Sequence, residues 1–420
     1  LKLTQHSVEQ QYGLRSFVGA CWIQPHRQGN ISLATGENRE TIPLEMTASG
    51  RSLDLDNLIK RLANNDSKII VIHGQSGVGK SSLVSGGLVP KLKQRSILGE
   101  DYLPVLVRVY QDWTANLGRS LAAALAEKNV VMPAFDSEDM AAQLALFLEE
   151  FKKNEQRNLR TVLIFDQFEE FFFIHQKPPE QHQFFEFLGD CLQILSLKVI
   201  LSLRVDYLHY LLVCDFLETM KIIGNDILAA KVRYHIGNFS VTDAAQIIKG
   251  LTAQAQSQFD DDLISALVAD LAEGLNAVRP IELQIVGAQL EAEQITTLAE
   301  YRSSGSKTEF VQRYLAAVVA DCGPENQKTA ELVLYLLTDE KGTRPLKTRG
   351  EIERDLQALA VDSPQETNPL SIVLEIFVKS GLVLLLPEKP EQRYQLVHDY
   401  LAEFIHQQQQ PRWEELVAQL

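Results

Sequence analysis

Gly74-Gln75-Ser76-Gly77-Val78-Gly79-Lys80-Ser81-Ser82 follows the apolar run Lys68-Ile69-Ile70-Val71-Ile72-His73 and leads into a helical segment. The spacing is GxxxxGK[ST], met in the order that gives it meaning: strand, glycine-rich turn, helix. Glycines let the backbone wrap a phosphate, and loop N–H groups and the helix N-terminus point at it. Lys80 supplies the charge that neutralises β and γ oxygens, and Ser81 supplies a hydroxyl for magnesium. Residues 74–82 are therefore the expected nucleotide-binding set. A dinucleotide loop would need a third glycine further on, which is missing. Gly74-Gln75-Ser76-Gly77-Val78 is only a near match to the hydrolase elbow GxSxG.

Working outward, short apolar runs alternate with helical segments from Lys68 to Phe239: KIIVIHG, LPVLVRVY, TVLIFD, KVILSLR and VRYHIGNF. Runs apolar on both faces and separated by helices predict an α/β fold, a parallel sheet with helices on both sides. A phosphate cradle needs a metal carboxylate, and Thr161-Val162-Leu163-Ile164-Phe165-Asp166 ends in one, at the strand end where ligands sit in parallel sheets. Asp166 is thus expected to hold magnesium, directly or through water. Glu169 and Glu170 are the candidate bases that orient an attacking water. Arg204, closing KVILSLR, is a candidate to sense or stabilise transferring charge.

Arg51 precedes Leu53, Leu55, Leu58, Ile59 and Leu62, whose spacing predicts a helix with Asp54 and Asp56 in its first turn. The expected P-loop domain spans residues 51–240. Residues 1–50 show no helical period and carry no assigned activity. Residues 241–306 read as a helical lid. Residues 307–406 read as helices followed by a hairpin-like pair, GLVLLL and RYQLVH, a pattern that suggests a winged helix. Residues 407–420 read as a polar hinge entering a further helix.

The 420 residues carry 40 Lys and Arg against 55 Asp and Glu, a formal charge of −15, which argues against nucleic-acid or anionic-lipid partners in bulk. The longest apolar runs fall short of the roughly 18 residues that span a bilayer. Cys21, Cys191, Cys214 and Cys322 form no CxxC pair, consistent with a reducing cytoplasm. The first residues lack the apolar core of a signal peptide, and with Leu1 in place of Met the chain reads as an internal piece of a longer protein. No guanine-reading NKxD occurs, which tilts the base toward adenine.

GQSGVGKSSLVSGGLVPKL, TVLIFDQFEEFF and LSLRVDYL resemble the P-loop, Walker B and sensor motifs of STAND ATPases, more narrowly the bacterial novel STAND group, from about Gly50 to Ile405. The resemblance implies an ATPase core, a helical domain and a winged helix within a signalling or defence switch that is closed with ADP and opens and self-associates with ATP. The trigger is unknown. It also implies roles for residues that spacing does not select. Arg51 matches a Gly-Arg segment near the adenine, and Pro280 in AVRPIELQIV is similar to a proline that touches the base, although Val-Arg-Pro replaces the usual GxP. His398 in LVHDYL is similar to a winged-helix histidine on the β-phosphate of ADP.

The rival reading is an ATP-binding winged-helix regulator that reads DNA. It rests on Lys341, Arg344, Lys347, Arg349 and Arg354, a basic cluster diluted by Glu340, Glu351, Glu353 and Asp355.

Overall fold

Helix α1 (Ser52–Ala63) forms where the spacing predicts it and buries Leu55, Leu58 and Leu62. In the computed structural model the described residues are 51–406 apart from 76, 95–100, 133–138, 225, 255–258, 275, 340–343, 360–368, 381, 387–391, 397–400 and 403. Each of the three leucines, fully desolvated, contributes about 1.5–3 kcal/mol. Leu53, which the spacing groups with them, is 68% exposed and lies off the apolar face. The described residues divide into two compact units, one of them Arg51–Gly237.

In that unit α1 leads into β1 (Ile69–Gly74), buried along its whole length. The helix after the loop begins as α2 (Lys80–Ser82), widens into a π-helical stretch over Leu83–Leu88, and resumes as α3 (Val89–Gln94). The wide stretch contains Gly86-Gly87, residues of low helix propensity, and π-turns of this kind recur at functional sites. Then follow β2 (Asp101–Val107), α4 (Trp113–Glu127), α5 (Met140–Gln156) and β3 (Leu159–Asp166). Asp112 and Asp139 cap α4 and α5 by accepting the N–H groups of Ala115 and Ala141. The chain continues through α6 (Glu169–Ile174), α7 (Pro178–Leu192), β4 (Lys198–Arg204), two 3-10 stretches and β5 (Arg233–His235).

All five strands are parallel, in the order β2-β3-β4-β1-β5. The α/β architecture expected from the apolar runs is the one found. β4 lies between β1 and β3, in register with both: Gly74 pairs with Arg204 and Asp166 with Ser202. The C-terminal ends of β1, β4 and β3 thus stand side by side. Two strand assignments differ in extent. The run LPVLVRVY leaves the sheet after Val107, and VRYHIGNF contributes only Arg233–His235.

In the second unit, α8 (Val241–Gln254), α9 (Asp261–Leu271), α10 (Pro280–Ala292), α11 (Leu298–Ser303) and α12 (Lys307–Asp321) precede α13 (Gln327–Leu336), β6 (Lys347–Thr348), α14 (Arg349–Leu359), α15 (Pro369–Ser380), β7 (Val383–Leu386) and β8 (Arg393–Leu396). Helix α10 is buried from Pro280 to Leu290 because it serves two apolar clusters. Ile281 and Ile285, one turn apart, join the later helices, while Leu283, Val286 and Leu290 join α8 and α9. The expected hairpin pair is antiparallel, with Leu385 opposite Tyr394. A third strand, β6, pairs with β8, although nothing in its sequence predicts a strand. In the basic cluster Lys347 pairs with Asp355 at 2.7 Å and Arg349 with Glu353 at 3.0 Å. Residues 1–50, Ser76, Lys341, His398 and the hinge at 407–420 lie outside the described residues.

Candidate functional site

The loop after β1 has the backbone its glycines allow. Gly77 and Gly79 take φ of 76° and 89°, a region in which a side chain is strained. Gly74 is needed for a different reason: a Cβ there would collide with the carbonyl of Ile236, whose own N–H donates to the His73 carbonyl at 2.7 Å. The smallness of Gly74 therefore serves the approach of the chain after β5. Lys80 Nζ donates to the carbonyls of Gly74 and Gln75, at 2.9 and 2.8 Å, and so lies along the loop. Ser81 and Ser82 follow in α2.

Ser81 Oγ donates to Asp166 Oδ1 at 3.2 Å, joining the start of α2 to the end of β3. Asp166 is fully buried. Its other oxygen, Oδ2, lies 3.1 Å from both Nε and a terminal nitrogen of Arg108, and that terminal nitrogen also donates to Ser85 Oγ. Tyr110, buried beside it, donates its hydroxyl to the Asp166 carbonyl at 2.7 Å, and His175 Nε2 meets the Tyr110 carbonyl at the same distance. Neither Arg108 nor Tyr110 stands out in the sequence. Both belong to a run that reads as continuous strand, and only the early end of β2 turns them toward the carboxylate.

Past Asp166, Gln167 adopts φ of 56° and the Phe168 N–H donates to the Ser202 carbonyl at 2.8 Å, so the chain turns sharply into α6. A left-handed non-glycine residue beside a candidate ligand carboxylate is strain held by its surroundings. The surroundings are aromatic: Phe168 and Phe171 stack at 5.2 Å, and Phe171 meets Phe184 at 4.5 Å. These rings fix the short helix carrying Glu169 and Glu170, both buried. Burial foremost, then the charges of Asp166, Glu170 and Glu169, raises the Tyr110 hydroxyl pKa well above its usual value. Asp166, Glu169 and Glu170 thus lie near one another at one end of the sheet, with Arg108 as the counter-charge on Asp166.

Glu169 accepts the backbone N–H of Arg204, and the Arg204 guanidinium lies 2.9 Å from Asp206 and over the Tyr207 ring. Arg51 is buried, and one terminal nitrogen donates at 2.7 Å to the carbonyls of both Val78 and Gly237, while the other meets Asp54 at 3.1 Å. It clamps the loop backbone. Pro280 occupies the first turn of α10 in the second unit, where a missing N–H costs nothing. The first unit thus brings together Arg51, the loop, Ser81, Asp166 and, at the ends of β3 and β4, Glu169, Glu170 and Arg204.

The model of the family described as Novel STAND NTPase 1 matches residues 48–416. The chain belongs to that family. An uncharacterized WD repeat-containing protein of Synechocystis sp. is 24% identical over 434 residues, covering 94% of this chain and 23% of that protein. This chain therefore spans about a quarter of the relative's length. Among solved structures, a Walker-type ATPase of Pyrococcus abyssi is 12% identical with a TM-score of 0.43, covering 85% of this chain and 95% of that one. The ORC2 protein of Aeropyrum pernix, solved in ADPNP-ADP complexes, is 13% identical at a TM-score of 0.43, with 95% and 98% covered. The ORC1 protein of the same organism, solved in complex with DNA, is 18% identical at 0.42, with 85% and 92% covered. In the novel STAND chain described here, no described helix is long and apolar enough to cross a membrane.

Proposed function

We propose that this chain is the ATP- and ADP-dependent switch core of a longer cytoplasmic signalling or defence protein. The supporting observation is the meeting of Ser81 and Asp166 beneath a glycine loop clamped by Arg51. Two oxygen donors at this spacing suit magnesium, a hard cation bound through oxygen. When bound, the ion neutralises charge on the nucleotide phosphates. Loop N–H groups and Lys80 hold the β and γ oxygens, Glu170 orients the attacking water, and Arg204 steadies the charge that develops.

In this reading ADP keeps the protein closed, with Pro280 against the base and His398 on the β-phosphate, as the family resemblance implies. ATP favours an open, self-associating form. Moving such a balance from 1:99 to 99:1 takes about 5.5 kcal/mol of differential binding, within reach of several charged contacts made in one state alone. Hydrolysis is slow, since each state must persist. The trigger and effector belong to the rest of the longer protein, and the WD repeats of the Synechocystis relative make a repeat array the candidate sensor.

The test is to denature the purified protein, identify the nucleotide released, and compare its size distribution with ADP and with ATP. Release of ADP together with larger species in ATP is expected. A guanine nucleotide, or one size in both, overturns the switch. A salt-dependent shift of DNA by the protein would favour the DNA-reading rival instead.

A further inference from the structure

We propose that Arg108 competes with the magnesium ion of a bound nucleotide for the Asp166 carboxylate, and so sets how much metal the site requires. The inference rests on the nucleotide reading above and concerns how that site is regulated. Arg108 follows the last residue of β2, and its side chain is only 13% exposed. Its guanidinium holds Oδ2 of Asp166 by Nε and a terminal nitrogen, each at 3.1 Å, while Ser81 holds Oδ1. The residues best suited to grip the metal are therefore already bound to each other and to a fixed positive charge.

A guanidinium and a divalent cation on one buried carboxylate repel each other, and with little solvent between them the repulsion is weakly screened. Arginine does not deprotonate, so only movement relieves the conflict. The geometry supplies an anchor against that movement. The terminal nitrogen that meets Asp166 also donates to Ser85 Oγ, on the π-helical stretch that continues α2. Arg108 is thus tied to the same helix whose first turn carries Ser81. A metal bound by Ser81 and Asp166 would have to draw the guanidinium off Oδ2 against the hold of Ser85. Arg108 acts through Asp166 and is a positioning residue.

The test uses the full chain and a fluorescent ADP, titrating magnesium into the parent, Arg108→Gln and Ser85→Ala, with a metal-free measurement in chelator for each. Competition predicts that Arg108→Gln lowers the magnesium concentration at half-effect about tenfold, the scale on which groups around a metal's ligands alter its affinity. Metal-free ADP binding should be unchanged. Ser85→Ala removes one hydroxyl, spares both metal ligands, and should shift the midpoint the same way by a smaller factor; it decides the matter should Arg108→Gln not fold. If Arg108 merely supported Asp166, its loss would raise the magnesium requirement. A raised or unmoved midpoint overturns the proposal while leaving nucleotide binding intact. Failure of the parent to bind ADP at all overturns the nucleotide reading, and this inference with it.

Discussion

Glu169 accepts the backbone N–H of Arg204 at 3.2 Å, so the first of two adjacent glutamates ties α6 to the end of β4. Its neighbour Glu170 is buried in the same turn. Glu169 thus helps to hold the architecture of this turn, and Glu170 is the residue proposed for the attacking water.

Glu170→Gln is accordingly expected to keep ATP bound and to slow its turnover by about 10²–10⁴, the usual contribution of a positioned base. Glu169→Gln retains an acceptor oxygen for Arg204 and should cost far less. Single-turnover phosphate release from both variants checks this. Parent-like hydrolysis by Glu170→Gln would remove that residue from the role.

Lys80→Ala should abolish nucleotide binding, because the loop keeps its N–H groups but loses the charge that meets the phosphates. The bonds Lys80 donates to Gly74 and Gln75 are local, so unfolding stability should fall by no more than about 1–2 kcal/mol. Calorimetric ADP titration alongside urea unfolding separates the two effects.

Arg51→Ala leaves the carbonyls of Val78 and Gly237 without the guanidinium that joins them. Hydrogen bonds to charged groups contribute about 1.5–3 kcal/mol, so a loss of about 2–4 kcal/mol is expected in denaturant unfolding. Arg51→Lys should not rescue it, since an ammonium lacks the fork that meets two carbonyls and Asp54 together.

His73, beside Gly74 in β1, has its pKa lowered to about 4, by burial first and then by the positive groups of His235, Arg233 and Lys80. The folded protein therefore binds fewer protons here than the unfolded chain, whose histidine titrates near pH 6.5. Its stabilising contribution is complete above about pH 6.5 and is lost as pH falls toward 4, on the order of 1–3 kcal/mol in all. Unfolding free energy measured from pH 7 to 4 should fall less steeply for His73→Gln than for the parent. Parallel curves would show that His73 is not the group responsible.

The P-loop was legible because its glycines and lysine answer to a spacing that backbone and phosphate impose. The parallel sheet was legible because β1 and β3 are apolar on both faces. What escaped depends on contacts distant in sequence. β2 ends at Val107, opposite Phe165, although hydrophobic residues continue past it, and that early end turns Arg108 and Tyr110 toward Asp166. β6 consists of Lys347 and Thr348, with no apolar signal, and is a strand only because β8 lies beside it. Leu53 kept the helical spacing yet faces outward, since spacing marks a face only to within a residue or so. Arg51 is selected by resemblance alone, as a neighbour of adenine, and its bonds to Val78 and Gly237 join residues far apart in sequence.

Arg51 and Gly237 are also the first and last residues of their unit, and the 2.7 Å bond between them closes its chain into a ring. The same nitrogen holds Val78 at the tip of the loop. A pull on the polypeptide at either flank therefore bears on this one guanidinium as well as on the backbone entering the unit. The two ends of the unit behave mechanically as a single handle, and that handle grips the phosphate loop.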